Sequence, residues 1–385
     1  MIPYGKQNIN QDDIEAVLKV LESDYITQGP VVPAFEKKIS NYCKSEYAVA
    51  VNSATSALHI ACKALELKSG DIAWTSPNTF VASSNCVLYC DAKIDFVDID
   101  PLTGNISVEK LEEKLIKAKK ENKLPKVVIP VHMTGEPCDM QSIDRLRKEY
   151  NFKVIEDASH AIGAKHKGSH IGDCKYSDIV VFSFHPVKII TTAEGGMACT
   201  NSEKLFNKMN LLRSHGITRD PNMMNQKPHG SWYYQQIEIG FNYRMTEIQA
   251  ALGYSQMDRI DSFIKKRHEI ASVYDSKLSN LPLKLPYRDV NNFSSLHLYV
   301  IRLQIDNKDI NNKFIFESLR DNGIGVNLHY IPVHYHPYYM NLGFERGMFP
   351  ESEKYYDEAI SIPLHPSLDD ENIDKVITTI TNLLG

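Results

Sequence analysis

The feature that most narrows the possible folds is a repeated change of hydrophobic period between residues 47 and 184. Short apolar runs read as strands at 47–51, 72–77, 93–99, 126–131, 153–156 and 178–184. Between them lie segments with helical spacing, running to about residue 67, then after 80, and across 108–119 and 140–150. Such βα alternation implies an α/β fold whose mostly parallel sheet is covered by helices on both faces. Ligands on sheets of this kind gather at the carboxyl ends of the strands. Five polar stretches fall at such ends, 52–55, 78–80, 132–135, 157–160 and 183–188, and they point to one shared site.

The rest of the chain frames this sheet. At 385 residues the chain exceeds one ordinary core, so two domains are expected. A helix opens at Asn10 with acidic residues in its first turn, and Ile14, Val17, Leu18 and Leu21 give it one apolar face. Turn residues at 24–30 end it, and a second helix over 32–43 leads into the first strand. A helix over 202–214 leaves the sheet, and an aromatic, irregular segment follows, containing Trp232, Tyr233 and Tyr234. A long helix over 246–278 then leads to a stretch of different character. There a strand at 295–304, a helix at 312–321, a strand at 325–330 and helices around 351–360 and 371–384 make a small α+β domain.

Composition excludes several functions. The net charge of −5 argues against a nucleic-acid binder. No apolar run reaches the roughly 18 residues of a membrane helix. The segment after Met1 lacks the apolar core of a signal peptide, so a cytoplasmic protein is expected. The seven cysteines are odd in number and scattered, which suits free thiols in a reducing compartment. No metal site is expected.

The chemistry centres on two residues. Lys188 sits just past a buried strand, where poor hydration lets a lysine lose its proton near neutral pH and attack a carbonyl. Asp157 ends another apolar run. A carboxylate at one strand end and a lysine at another are the two protein groups a pyridoxal phosphate site needs. The small residues from Asn52 to Ala57 stand at a strand-to-helix turn, read either as an ordinary Ser/Thr cap or as a phosphate cradle at a helix N-terminus. Neither a dinucleotide nor a nucleoside-triphosphate motif is present.

Several stretches carry a family resemblance over nearly the whole length. They are Thr27-Gln28-Gly29-Pro30, Asn52-Ser53-Ala54-Thr55-Ser56-Ala57-Leu58-His59, Glu156-Asp157-Ala158-Ser159-His160-Ala161, residues 182–196 and Asn242-Tyr243-Arg244-Met245-Thr246. The chain resembles the sugar-nucleotide aminotransferases of the DegT/DnrJ type, fold-type I enzymes that use pyridoxal 5'-phosphate. Three further stretches, Arg213-Ser214-His215-Gly216-Ile217, 190–196 and His329-Tyr330-Ile331-Pro332, are most like the branch acting in pseudaminic acid synthesis. The resemblance implies amino transfer from L-glutamate to C4 of a UDP-linked 4-keto-6-deoxy-N-acetylhexosamine. Another sugar-nucleotide 3- or 4-aminotransferase, of the D-gluco series for example, is the alternative. A dehydratase of the same fold would carry histidine in place of Lys188, and a non-enzymatic regulator would not need Asp157 with Lys188.

The resemblance also implies roles. Lys188 would hold the cofactor covalently and move protons, and Asp157 would face the ring nitrogen. His160 would contact the ring hydroxyl and Phe80 would stack on the ring. Ala54, Thr55 and Ser183 would hold the phosphate, joined by Asn242 from the second subunit of a homodimer. Tyr4, Tyr25, Ile26, Thr27, His329 and Tyr330 would contact the nucleotide sugar. The implied division is residues 1–30 as N-terminal helix and substrate loop, 31–250 as the large cofactor-binding domain and 251–385 as the small C-terminal domain.

Overall fold

The computed structural model describes residues 1–304 and 311–385. Its main sheet has seven strands, β1 (Tyr47–Val51), β2 (Ile72–Thr75), β3 (Lys93–Phe96), β4 (Val127–Ile129), β5 (Lys153–Asp157), β6 (Ile179–Ser183) and β7 (Gly196–Thr200). Their order across the sheet is β1-β7-β6-β5-β4-β2-β3. The pairs among β2 to β6 are parallel. Strand β7 runs antiparallel to both β1 and β6. The expected α/β class therefore holds, with one reversed strand that the sequence reading did not separate from the loop before it.

Side chains of alternate strand residues enter different cores, as the period of two requires. Val181 packs with Leu58, Ile60 and Cys86 from helices α3 (Ala54–Ala64) and α4 (Ala82–Leu88). Two helices precede β1, α1 (Gln11–Leu21) and α2 (Val31–Cys43). Val180 and Phe182 turn the other way, onto Phe35 and Ile39 of α2. Helices α5 (Val108–Lys120) and α6 (Met140–Tyr150) cover Val128 and Val154. Helix α7 (Glu203–Arg213) is capped by the Ser202 side chain, which accepts from the Leu205 amide.

Three expectations change, and helix α1 turns a polar residue inward. The predicted helix at 246–278 is two helices, α8 (Glu247–Gln256) and α9 (Ile260–Leu278), separated by a short turn at Met257–Arg259. Arg259 leaves helical geometry at φ −114° and ψ 1°, and its guanidinium donates to the Asn8 side chain at 2.7 Å and pairs with Asp13. The apolar spacing continues through this break, so periodicity could not reveal it. Helix α1 exposes Ile14, Leu18 and Leu21 and buries Asp13, which accepts from Ser255 and Gln256 at 2.6 Å each. Residues 325–330 form no regular strand; Asn327 makes an isolated bridge to Ser361. The edge strand is instead Ala359–Ile362, directly after the helix Pro350–Glu358.

That strand joins Tyr299–Leu303 and Leu283–Lys284 in a small antiparallel sheet. Ile270 and Tyr274 of α9 pack on it together with Ile315 and Leu319 of the helix Asn312–Asp321. All seven cysteines are free and buried. Among the described residues no helix is long and apolar enough to cross a membrane, and no cluster of His, Cys, Asp or Glu is arranged to hold a metal ion.

Candidate active site

Strands β5 and β6 are parallel neighbours, with Asp157 opposite Val181, so Asp157 and Ser183 reach the same edge of the sheet. The chain then loops back to β7. Within that loop Thr192 donates its amide to the Phe184 carbonyl at 3.0 Å, and Lys188 donates its amide to His185 at 2.9 Å. The Thr191 hydroxyl also donates to the Phe184 carbonyl, at 3.0 Å. These bonds fix the backbone that carries Lys188.

The Lys188 side chain lines a cavity of about 510 Å³. Tyr4, Ala54, Thr55, Phe80, Asp157, His160, Ser183, His329 and Tyr330 line it too. Burial among protein atoms pushes the Lys188 pKa down from 10.5 to about 8, while the charge of Asp157 opposes the drop. A lysine so placed has a far larger neutral fraction near physiological pH than an ordinary exposed lysine and is a competent nucleophile.

Asp157 is 5% exposed and its carboxylate is held from two sides. One oxygen accepts the Ser159 amide at 3.1 Å, and the other accepts the Ser83 hydroxyl at 2.6 Å. Ser83 was absent from the residues expected from sequence.

The phosphate end is built by α3. Ser53 caps the helix, accepting the Ser56 amide at 3.1 Å. The first-turn amides of Ala54 and Thr55 precede the first intrahelical bond, from Ala57 to the Ser53 carbonyl. They stand at the positive end of the helix with the Ser183 hydroxyl on the same cavity. Gly196, the first residue of β7, presses against this turn: a Cβ there would meet the Ala54 nitrogen at 2.6 Å. That close approach requires glycine. Helix-end amides and a hydroxyl, a held carboxylate and a depressed lysine around one cavity make a donor set that fits pyridoxal phosphate.

Three histidines and a tyrosine form one wall. His160 Nε2 lies 3.1 Å from the Tyr330 hydroxyl, and the His160 ring lies 4.4 Å from that of His297. His329 Nδ1 lies 2.7 Å from the Ser361 hydroxyl. Burial, reinforced by the nearby Lys188 charge, holds all three imidazoles neutral: it pushes His329 down to about 3 and His160 and His297 well below the usual range. Burial likewise raises the Tyr330 phenol. His297, which lines the cavity, was also missed from sequence; a lone histidine inside the apolar run at 295–304 was the available signal.

Other expected residues lie outside the cavity lining. Tyr25 and Ile26 are exposed, and so is Thr27, although their loop is pinned. The Ile26 carbonyl accepts the Glu247 amide at 3.0 Å, and the Glu247 carboxylate accepts the Val31 amide at 2.6 Å. Asn242 is exposed and pairs through an isolated bridge with Ser214. Trp232 and Tyr234 are exposed on the segment before it. Phe80 lines the cavity with its ring 6.0 Å from that of Tyr330 and is still 57% exposed.

The model of the DegT/DnrJ/EryC1/StrS aminotransferase family matches residues 7–381. The chain is 37% identical over 386 aligned residues to a UDP-4-amino-4,6-dideoxy-N-acetyl-beta-L-altrosamine transaminase of Campylobacter jejuni, covering all of this chain and 98% of that protein. It is similar to the solved structure of Helicobacter pylori PseC, an aminotransferase involved in the biosynthesis of pseudoaminic acid, at 31% identity and a TM-score of 0.90 over 100% of this chain and 99% of that one. Streptococcus pneumoniae Spr1654, a putative sugar aminotransferase solved in its PMP form, is similar at 30% identity and a TM-score of 0.90, again over 100% and 99% of the two chains.

Proposed function

Because the chain belongs to the DegT/DnrJ/EryC1/StrS aminotransferase family, and is a sugar aminotransferase with pyridoxal phosphate as its cofactor, we propose that it carries an amino group from L-glutamate to C4 of a UDP-linked 4-keto-6-deoxy-N-acetylhexosamine. The product in this reading is UDP-4-amino-4,6-dideoxy-N-acetyl-beta-L-altrosamine, on the way to pseudaminic acid. The observation that carries the chemistry is the convergence of Lys188 and Asp157 on one cavity beside the α3 N-terminus. The full-length similarity to the Campylobacter jejuni transaminase supports the choice of sugar.

Bound pyridoxal phosphate supplies an electron sink for the charge left when a proton leaves the carbon bearing nitrogen. Lys188 would hold the cofactor and would take and return that proton, a task suited to an amine whose pKa burial lowers to about 8. Asp157 faces the ring nitrogen, where a nearby anion favours the protonated ring. Ala54, Thr55 and Ser183 bind the phosphate, and Phe80 covers the ring. His160, kept neutral, accepts or donates at the ring hydroxyl.

The rim is assigned to a second copy of the chain. Asn242 reaches the neighbour's phosphate in this reading, and the exposed Tyr25, Ile26 and Thr27 join Tyr4, His329 and Tyr330 around the nucleotide sugar. Residues 31–250 thus act as the cofactor-binding domain, with 1–30 and 251–385 shaping the substrate entrance. The test is product NMR after incubation with glutamate and a panel of 4-keto UDP-sugars. An amine at C4 of the 4-keto-6-deoxy-N-acetylhexosamine is expected. An amine at C3, or no amination by protein that binds the cofactor, overturns the proposal.

A further inference from the structure

Donor counting around Asp157 shows a directed chain of hydroxyls. The Ser83 hydroxyl lies 2.6 Å from the carboxylate, which can only accept, so Ser83 donates there and its one proton is committed. Thr79 Oγ1 lies 2.7 Å from Ser83 Oγ. Because the Ser83 proton is already used, Thr79 must be the donor to Ser83. The order is Thr79 to Ser83 to Asp157, and bonds aligned in this way strengthen one another. Ser83 is fully buried and Thr79 is 2% exposed, so water does not compete with the chain. Thr79 and Ser83 also bracket Phe80 in sequence at the start of α4, Thr79 just before the helix and Ser83 as its second residue.

We infer that Thr79 and Ser83 are positioning residues that fix the Asp157 carboxylate for the cofactor's ring nitrogen. This rests on the reading of Asp157 given above. Ser159 holds one carboxylate oxygen through its amide, and the hydroxyl chain holds the other. The carboxylate cannot rotate without breaking one of the two bonds. The same short turn that offers Phe80 to the ring face therefore also orients the group offered to the ring edge.

The test uses holoenzyme loaded with cofactor labelled with nitrogen-15 in the ring, in the parent and in Ser83→Ala, Ser83→Thr, Thr79→Val and the double variant Thr79→Val/Ser83→Ala. In the parent, the nitrogen-15 shift should report a protonated ring nitrogen. In Ser83→Ala it should move toward the unprotonated value, with kcat for the glutamate half-reaction lowered about tenfold and KM little changed. Ser83→Thr, which keeps the hydroxyl, should restore both readouts. Thr79→Val should move the shift less, and it should add nothing in the Ser83→Ala background because the two act in series. A Ser83→Ala shift equal to the parent's, or equal damage from Ser83→Ala and Ser83→Thr, overturns the inference. An unprotonated ring in the parent overturns the reading of Asp157 itself, a distinct outcome.

Discussion

The floor of the cavity and its rim are built by opposite means. Floor residues sit at the ends of strands whose neighbours are wholly buried, and each is tied by bonds from the same chain. Asp157 is held by Ser83 and Ser159, the Lys188 loop by Phe184, and the α3 turn by Ser53. Rim residues are exposed: Tyr25, Ile26, Trp232 and Tyr234 have large parts of their rings or side chains in solvent, and Asn242 faces outward. The contrast teaches that Lys188, Asp157 and the α3 turn are preorganised within one chain, as are Tyr4, His329 and Tyr330 on the same cavity, whereas Tyr25, Ile26, Thr27 and Asn242, proposed above for the substrate and the partner's phosphate, are not brought to that cavity by the chain itself. Changes at the floor should therefore stop the reaction itself, and changes at the rim should act through a second copy.

The largest effect should come from Lys188→Ala. Loss of both attachment and proton transfer should lower turnover on the order of 10⁴-fold or more. Borohydride reduction of the parent should place the pyridoxyl group on Lys188, and peptide mapping checks this; a label on another lysine breaks the assignment of the floor. Next in size is Asp157→Asn. The cofactor should still bind, while the glutamate half-reaction slows on the order of a hundredfold, a loss of about 2.7 kcal/mol of transition-state stabilisation. Stopped-flow spectra with glutamate measure it, and near-parental rates would give the carboxylate another task.

Legibility from sequence followed the same division. Lys188 and Asp157 stood out because each is a charged residue ending an apolar run, and burial of such runs forces their polar ends together at one sheet edge. The βα order was legible for the same reason. Ser83 was not, since it is one of two adjacent serines: Ser83 turns to Asp157, and Ser84 lies 2.6 Å from the Tyr339 hydroxyl. Nothing local distinguishes them. Strand β7 was hidden because its first residue, Gly196, is half of a Gly-Gly pair that reads as part of the lysine loop. The strand Ala359–Ile362 was hidden behind a helix whose spacing seemed to run into it, and only pairing with Tyr299–Leu303 decides its geometry. The spacing of α1 gives it one apolar face, yet the helix turns Asp13 inward, toward Arg259 and Gln256. Specific polar bonds there outweighed a pattern of hydrophobic spacing.

A smaller effect should separate rim from floor directly. Asn242→Asp places a negative charge where the proposed dimer brings the neighbour's phosphate, and should impair every site of its own homodimer. Mixed with Lys188→Ala chains, it should form heterodimers in which one site has both Lys188 and Asn242 intact and the other lacks both. Equal mixing should recover about a quarter of the parental activity. Subunit exchange confirmed by mass without any recovery would mean that Asn242 acts within its own chain, and the contrast between floor and rim would have to be redrawn.

The smallest effect is a displacement in pH, and it tests whether the floor is complete in a single chain. With its pKa lowered from 10.5 to about 8, Lys188 is mostly ammonium below about 8 and mostly free amine above it. The rate at which apoprotein captures pyridoxal should then rise about tenfold per pH unit below the midpoint and level off above it. An ordinary exposed lysine would keep rising toward 10.5. Because the Asp157 charge opposes the drop, Asp157→Asn should move the midpoint lower still. Asn242→Asp should leave it in place, since Asn242 does not line the lysine's cavity in its own chain and its proposed contact across the dimer is with the phosphate end, not with the lysine. A midpoint that moves with Asn242 and not with Asp157 would show that the lysine is tuned across the subunit boundary, and the floor would no longer be the property of one chain.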